Sequence, residues 1–291
     1  MKLLLTDITN KKEIIRNKKI EHIDQIYSNF KNTLTYCDNL HYIDLANKNS
    51  NISSIITSKK LFNRVDTRKG LIIAKDPRKK FYSIHEKFSQ NLRKNFRDFI
   101  GKNTYIHSSA QVSDKTYIGN NVIISENVII KDYSIIKDNV FIDCNTVIGN
   151  EGMLYYKDHE SNKRIKHFGG VIIHPNSNIL SNTSIVKSVF PNSYTSIGKN
   201  CQVGIGTTVS HDCNIGNNCI ISGNSYIARN VKLCKNVFLG TSCFIKENLE
   251  LKENVNVMAG SVVINNISKD QQVSGNFAKD HISRISNFVK K

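Results

Sequence analysis

The chain holds nine histidines and seven cysteines, and one histidine stands out by its surroundings. His211 lies in "VSHDCNIGNNCIISGN", residues 209–224, among Gly, Asn, Ser and aliphatic residues. Imidazole exchanges a proton near neutral pH. In such a run it is either a solvent-exposed turn residue or a group placed to move a proton. The cysteines are odd in number and scattered, and none forms a C-x-x-C pair. Neither a zinc knuckle nor a disulfide framework is indicated, and no metal site is expected.

The elements that hold His211 follow from an internal repeat. From Ile106 an aliphatic residue recurs every six positions, at 112, 118, 124, 130, 136, 142 and 148. A second register runs 173, 179, 185, then 197, 203, 209, 215, 221, 227, 233, 239, 245, 251, 257 and 263, broken only by Pro191. The 25-residue gap from 148 to 173 is not a multiple of six, so residues 150–170 form an inserted loop. With the aliphatic residue as position 1, position 5 is small or β-branched (Ala110, Thr116, Val122, Val128, Ser134, Val140, Thr146). Position 4 is often Asn, as at 121, 139, 200, 218, 230, 236, 248 and 254. Asn tolerates the left-handed backbone that a repeated turn needs.

Each hexad is therefore one short flat strand and one turn. Three hexads close a triangular coil, and coils stack at a spacing of about 4.8 Å. The pattern predicts a mainly β protein, a left-handed parallel β-helix over 101–267. Cys201, Cys213, Cys219 and Cys243 all fall at position 5, where a small buried side chain packs well. His211 falls at position 3, a coil corner, and is expected to face outward, with Asp212 at the turn position.

Residues 1–100 lack the repeat and contain almost no Gly. "NISSIITSKKLF" and "KGLIIAKDP" read as strands. Asp76-Pro77 opens a helix with Asp as N-cap and Pro at the first position. Its apolar face is Phe81, Ile84, Phe88, Leu92, Phe96 and Phe99. A small α/β N-terminal domain (1–100) is expected, and a short basic C-terminal helix or tail (268–291) after the last coil. Lys and Arg exceed Asp and Glu by 41 to 24. This favours an anionic partner, or reflects AT-rich coding. No basic block is interleaved with aromatics, so nucleic acid is not an expected partner. No run of about 18 apolar residues occurs, so no transmembrane segment is expected and the chain reads as cytoplasmic.

Several stretches resemble the UDP-3-O-(3-hydroxyacyl)glucosamine N-acyltransferase family of lipid A biosynthesis, in that family's order along nearly the whole chain. "LTYCDNLHYIDLANKNSNISSIITS" (34–58) resembles its uridine-binding domain, where the usual pattern is aromatic-x-x-Asn-Pro-x-aromatic. "AKDPRKKFYSIHEKF" resembles its following helix. "IGNEGMLYY" and "IKHFGGVIIHP" resemble its inserted loop and the stretch after it. "SHDCNIGNNCIISGN" resembles its catalytic segment.

The resemblance implies that Tyr36 and Tyr42 sandwich the uracil while Asn39 reads its edge. The alternative is that these tyrosines pack a small sheet. The resemblance also implies that His211 is the general base, accepting the proton an amine loses when it attacks a thioester. His167 and Phe168 in the loop are further substrate-binding candidates. Ser222, Gly223, Gly240 and Thr241, one and two coils after His211, would line the donor path. The donor would be an acyl carrier protein or coenzyme A thioester, with no tightly bound cofactor. The acceptor would be a UDP-linked amino sugar, and the assembly a homotrimer with sites between subunits.

Three departures modify this. Leu40 replaces the family's Pro. The second family histidine is Asn248 in "KENLE", so Asn248 stands in the donor-site position without an imidazole. The tail "VSGNFAKDH" has Phe277 where related chains have Pro. The absent second imidazole, with a C-terminal extension shorter than the family's, points away from the lipid A reaction itself. It points toward a divergent relative acting on another UDP-linked amino sugar for a surface glycan, with a lipid A-type product kept beside it. A non-catalytic trimeric sugar-binding scaffold and an acetyl-CoA-dependent O-acetyltransferase are the alternative readings.

Overall fold

The computed structural model describes residues 2–93, 96–158 and 161–275. They divide into two compact units. One runs to Arg97 and adds Glu151–Gly170 and Lys187–Tyr194; the other comprises Asp98–Asn150, Val171–Val186 and the chain from Thr195. The C-terminal helix expected within 268–291, Phe277 included, lies outside the described residues from 276 on.

In the coil unit each hexad folds as a strand of two to four residues followed by a corner. The strands form three parallel sheets of eight, eight and nine strands among the described residues, a left-handed parallel β-helix. Residues 18 apart sit in register, as where Gln202 pairs with Ile220 and Val203 with Ile221. The position-1 aliphatics and the position-5 residues together fill the coil core, from Ile118 and Val122 through Cys213 and Ile215 to Val263. Ile215→Ala is expected to cost about 2–5 kcal/mol, the usual cost of emptying a close-packed aliphatic site. Denaturant unfolding monitored by circular dichroism measures it.

The corners explain the asparagines. Asn200, Asn218, Asn236 and Asn254 have φ of 56°, 58°, 60° and 59°. Their side chains form a ladder, each Nδ2 donating to the Oδ1 one coil on, at 3.2, 3.2 and 2.9 Å. The backbone N–H at such a corner donates to a carbonyl one coil back, as Asn218 does to Lys199 at 2.8 Å.

The structure departs from the sequence expectations in four places. The first coil strand is Phe99–Ile100, one hexad before Ile106, and it pairs with Tyr117–Ile118. The helix from Pro77 ends at Leu92, so Phe96 and Phe99 do not extend its apolar face. Phe99 instead lies on a coil strand and stacks on Tyr117 at 5.2 Å. At the other end the coil continues past 267, because Gln272–Val273 pairs in parallel with Asn256–Val257. The hexad at Pro191 is no coil element. Ile185 pairs with Val209, 24 residues on, where an uninterrupted coil gives 18. Residues 187–194 are thus a second excursion, which adds six residues to its coil. An insertion one repeat long leaves the hexad phase unchanged, which hides it in the sequence.

The other unit is built on a five-stranded sheet, in the order Ile14–Arg16, Gly70–Ile73, Ile52–Thr57, Thr33–Tyr36, His22–Ile23. Only the first pair is antiparallel. Strand residues alternate between faces. Leu34, Ile56 and Ile72 pack with Phe81 and Ile84 of the Pro77–Leu92 helix. Ile55 and Leu71 pack with Ile43 and Ala46 of the Leu40–Lys48 helix. Both excursions join the first of these clusters through Tyr156, Ile165, Val189 and Phe190. Asp76 caps its helix, accepting from Lys79 N at 2.9 Å, and Asn192 Nδ2 donates to the Leu92 carbonyl at its end at 3.0 Å. No helix among the described residues is long and apolar enough to cross a membrane.

Candidate functional site

His211 sits at a corner of the coil unit, outside the cluster that fills the coil core. It is 2% exposed, so the ring is buried within the single chain. Its Nδ1 lies 2.8 Å from Oδ2 of Asp212. A carboxylate only accepts, so Nδ1 carries the proton and Nε2 carries the lone pair of the neutral ring. A ring held this way can accept a proton at Nε2 while the adjacent charge stabilises the cation that forms.

Asp212 does two jobs. Its φ of 62° makes the turn that Asn makes elsewhere. Its position heads a corner column that continues with Asn230 and Asn248, where Asn230 Nδ2 donates to Asn248 Oδ1 at 3.0 Å. An aspartate has no side-chain donor to extend that ladder on to Asn230. The sequence signal for the His211 partner was therefore present: an Asp in a column of Asn, directly after the histidine. Asn248, with φ of 62°, is held in the same ladder.

Around the pair the coil is closely built. Cys213 is buried and its Sγ donates to the Ala228 carbonyl at 3.0 Å. Burial pushes its thiol up to about 12, which suits packing and not nucleophilic attack. Gly223 and Gly240 are required by close approach of neighbouring coils. A Cβ at Gly223 would meet the Ile205 carbonyl oxygen at 2.9 Å, and one at Gly240 the Ala259 nitrogen at 2.5 Å. Ser222 is half-buried and Thr241 is exposed.

The remaining candidates belong to the other unit. Tyr36 packs on Phe81, ring centroids 5.0 Å apart, and burial raises its hydroxyl above the ordinary tyrosine range. Asn39 is the N-cap of the Leu40–Lys48 helix, its Oδ1 accepting from Tyr42 N at 3.0 Å. Tyr42 is 40% exposed, on the first turn of that helix. His167 is buried, with Nδ1 3.1 Å from the Ile165 carbonyl oxygen. Phe168 is held by Arg93, whose Nε donates to its carbonyl at 2.7 Å and whose guanidinium lies over its ring at 5.7 Å. The structure thus brings His211 and Asp212 together, and separately Tyr36, Asn39 and Tyr42.

A family model of the bacterial transferase hexapeptide, six repeats, matches residues 99–132 and 194–229. The fold is similar to a UDP-N-acetylglucosamine acyltransferase from Campylobacter jejuni, at 24% identity over 66% of this chain and 78% of that one, with a TM-score of 0.54. The acetyltransferase domain of PglB from Neisseria gonorrhoeae matches 84% of this chain and 98% of its own at 14% identity, with a TM-score of 0.28. At these identities the first likeness is one of fold, and the second adds nothing to it.

Proposed function

We propose that this hexapeptide-repeat β-helix is an acyltransferase that moves an acyl group from a pantetheine thioester to the amine of a UDP-linked amino sugar. The observation that carries the reading is the pairing of the buried His211 ring with the half-buried Asp212 carboxylate at 2.8 Å. The amine lone pair attacks the thioester carbonyl, and the ammonium so formed gives its proton to His211 Nε2. Asp212 stabilises the imidazolium. Collapse of the tetrahedral adduct breaks the C–S bond, and the departing thiolate takes the proton from the imidazolium.

Tyr42, the exposed aromatic of the three nucleotide candidates, is proposed to stack on the uracil, with Tyr36 and Asn39 shaping that surface. Ser222, Gly223, Gly240 and Thr241 are proposed to line the donor path, and His167 and Phe168 to contact the acceptor. A homotrimer fits the coil surface. Tyr226, Phe244 and Val262 lie in register on one outer face, and Ile220 and Phe238 on the adjoining one, all exposed in the single chain. An apolar strip of this kind marks a protein contact.

The test is a screen of UDP-amino sugars against acetyl-CoA and acyl carrier protein thioesters, followed by release of free thiol. Turnover of one pair is expected, by a species of three chains in solution. Tyr42→Ala should raise KM for the nucleotide sugar about tenfold, the scale of one lost ring stack, with kcat little changed. No turnover with any acceptor, or a monomeric mass at micromolar concentration, overturns the reading.

A further inference from the structure

We propose that Thr195 is a positioning residue for the His211–Asp212 pair; the inference rests on the proposed role of His211. At most other coil corners the left-handed residue donates its N–H to a carbonyl one coil back, while Asn127 donates to the Ser109 hydroxyl at 3.0 Å. Asn230 donates to His211, and Asn248 to Arg229, 19 residues earlier. Where the coil beneath is lengthened by the second excursion the step is 25, as from Asn200 to Pro175 and from Gly206 to Ser181. At Asp212 the pairing step changes from 24 before the corner (Ile185 with Val209) to 18 after it (Ile197 with Ile215), so the carbonyl beneath would come from Lys187 or Ser193, at the two ends of the excursion.

The Thr195 hydroxyl takes the place of that carbonyl. Asp212 N donates to Thr195 Oγ1 at 2.9 Å, and Thr195 is fully buried. Position-5 hydroxyls elsewhere behave differently: Ser177 Oγ accepts from Cys201 N, and Ser225 Oγ from Cys243 N, both position-5 residues of the next coil. Thr195 alone among these bonds reaches the corner residue. It sets the backbone of Asp212 at the first residue after the excursion, and through it the carboxylate that orients His211. The excursion therefore opens the corner, and one hydroxyl closes it where the proton is moved.

The test compares Thr195→Val, which keeps the shape and removes the acceptor, with Thr195→Ser, which restores it. Ser177→Ala removes an equivalent hydroxyl elsewhere in the coil. Each is followed by steady-state kinetics and by NMR titration of the His211 ring, assigned with His211→Ala. Thr195→Val should lower kcat by tenfold to roughly 100-fold, the scale of a small misplacement at a reacting group, with KM within about twofold. It should also shift the His211 titration, while Thr195→Ser and Ser177→Ala do neither. Thr195→Ala replaces valine if valine does not fold. A valine variant with wild-type kcat and titration overturns the proposal, as does serine failing to rescue. If the wild type turns over no acceptor, the reading of His211 as base fails, and the titration still decides whether Thr195 positions the ring.

Discussion

His211→Ala is expected to lower kcat for acyl transfer by about 10²–10⁴-fold, the usual contribution of a positioned general base. At 1.36 kcal/mol per tenfold this is roughly 3–5 kcal/mol of barrier. The proton on the attacking amine must leave before the C–S bond breaks productively, and an imidazole is the side chain suited to take it. Asp212 holds the ring for that step at 2.8 Å. The backbone of residue 211 stays in place, since its carbonyl accepts from Asn230 N at 3.0 Å. A thermal melt should therefore show the coil intact. Transfer surviving near the wild-type rate would sink the catalytic assignment and favour a binding scaffold.

Asp212→Asn is expected to separate activity from stability. Asn adopts the left-handed corner as readily as Asp, and its Nδ2 can donate to Asn230 as the other corner asparagines do to their neighbours. The melting temperature should stay level or rise. The carboxylate charge that stabilises the imidazolium is lost, and an amide can hold the ring in the wrong tautomer. A fall of about 10²–10⁴-fold in kcat follows, by analogy with the equivalent change in a serine protease triad. Wild-type kcat in this variant would show that Asp212 is only a turn residue. A large drop in melting temperature would show that the carboxylate serves the fold.

Much of the coil was legible because its rules are local. An aliphatic residue every six positions, a small residue four later and Asn at the corner each follow from strand, core and turn requirements that recur at every coil. The buried position-5 cysteines followed from the same pattern. The Asp76-Pro77 helix start was legible for the same reason, since a cap and a fixed φ act within one turn. Where that helix ends was not. Phe96 and Phe99 continue its apolar spacing, yet Phe99 is taken by the first coil strand, a long-range pairing with Tyr117.

The candidate site divides in the same way. The repeat, the placing of His211 at a corner and the chemistry an imidazole brings there are all contained in the order of the residues. Folding settles the rest: the ring is buried, Asp212 is its partner and Thr195 holds Asp212. The reason is geometric. Residues 17 apart meet only because the chain closes a coil. The excursion before Thr195 leaves the hexad phase untouched while changing which atoms lie beneath the corner.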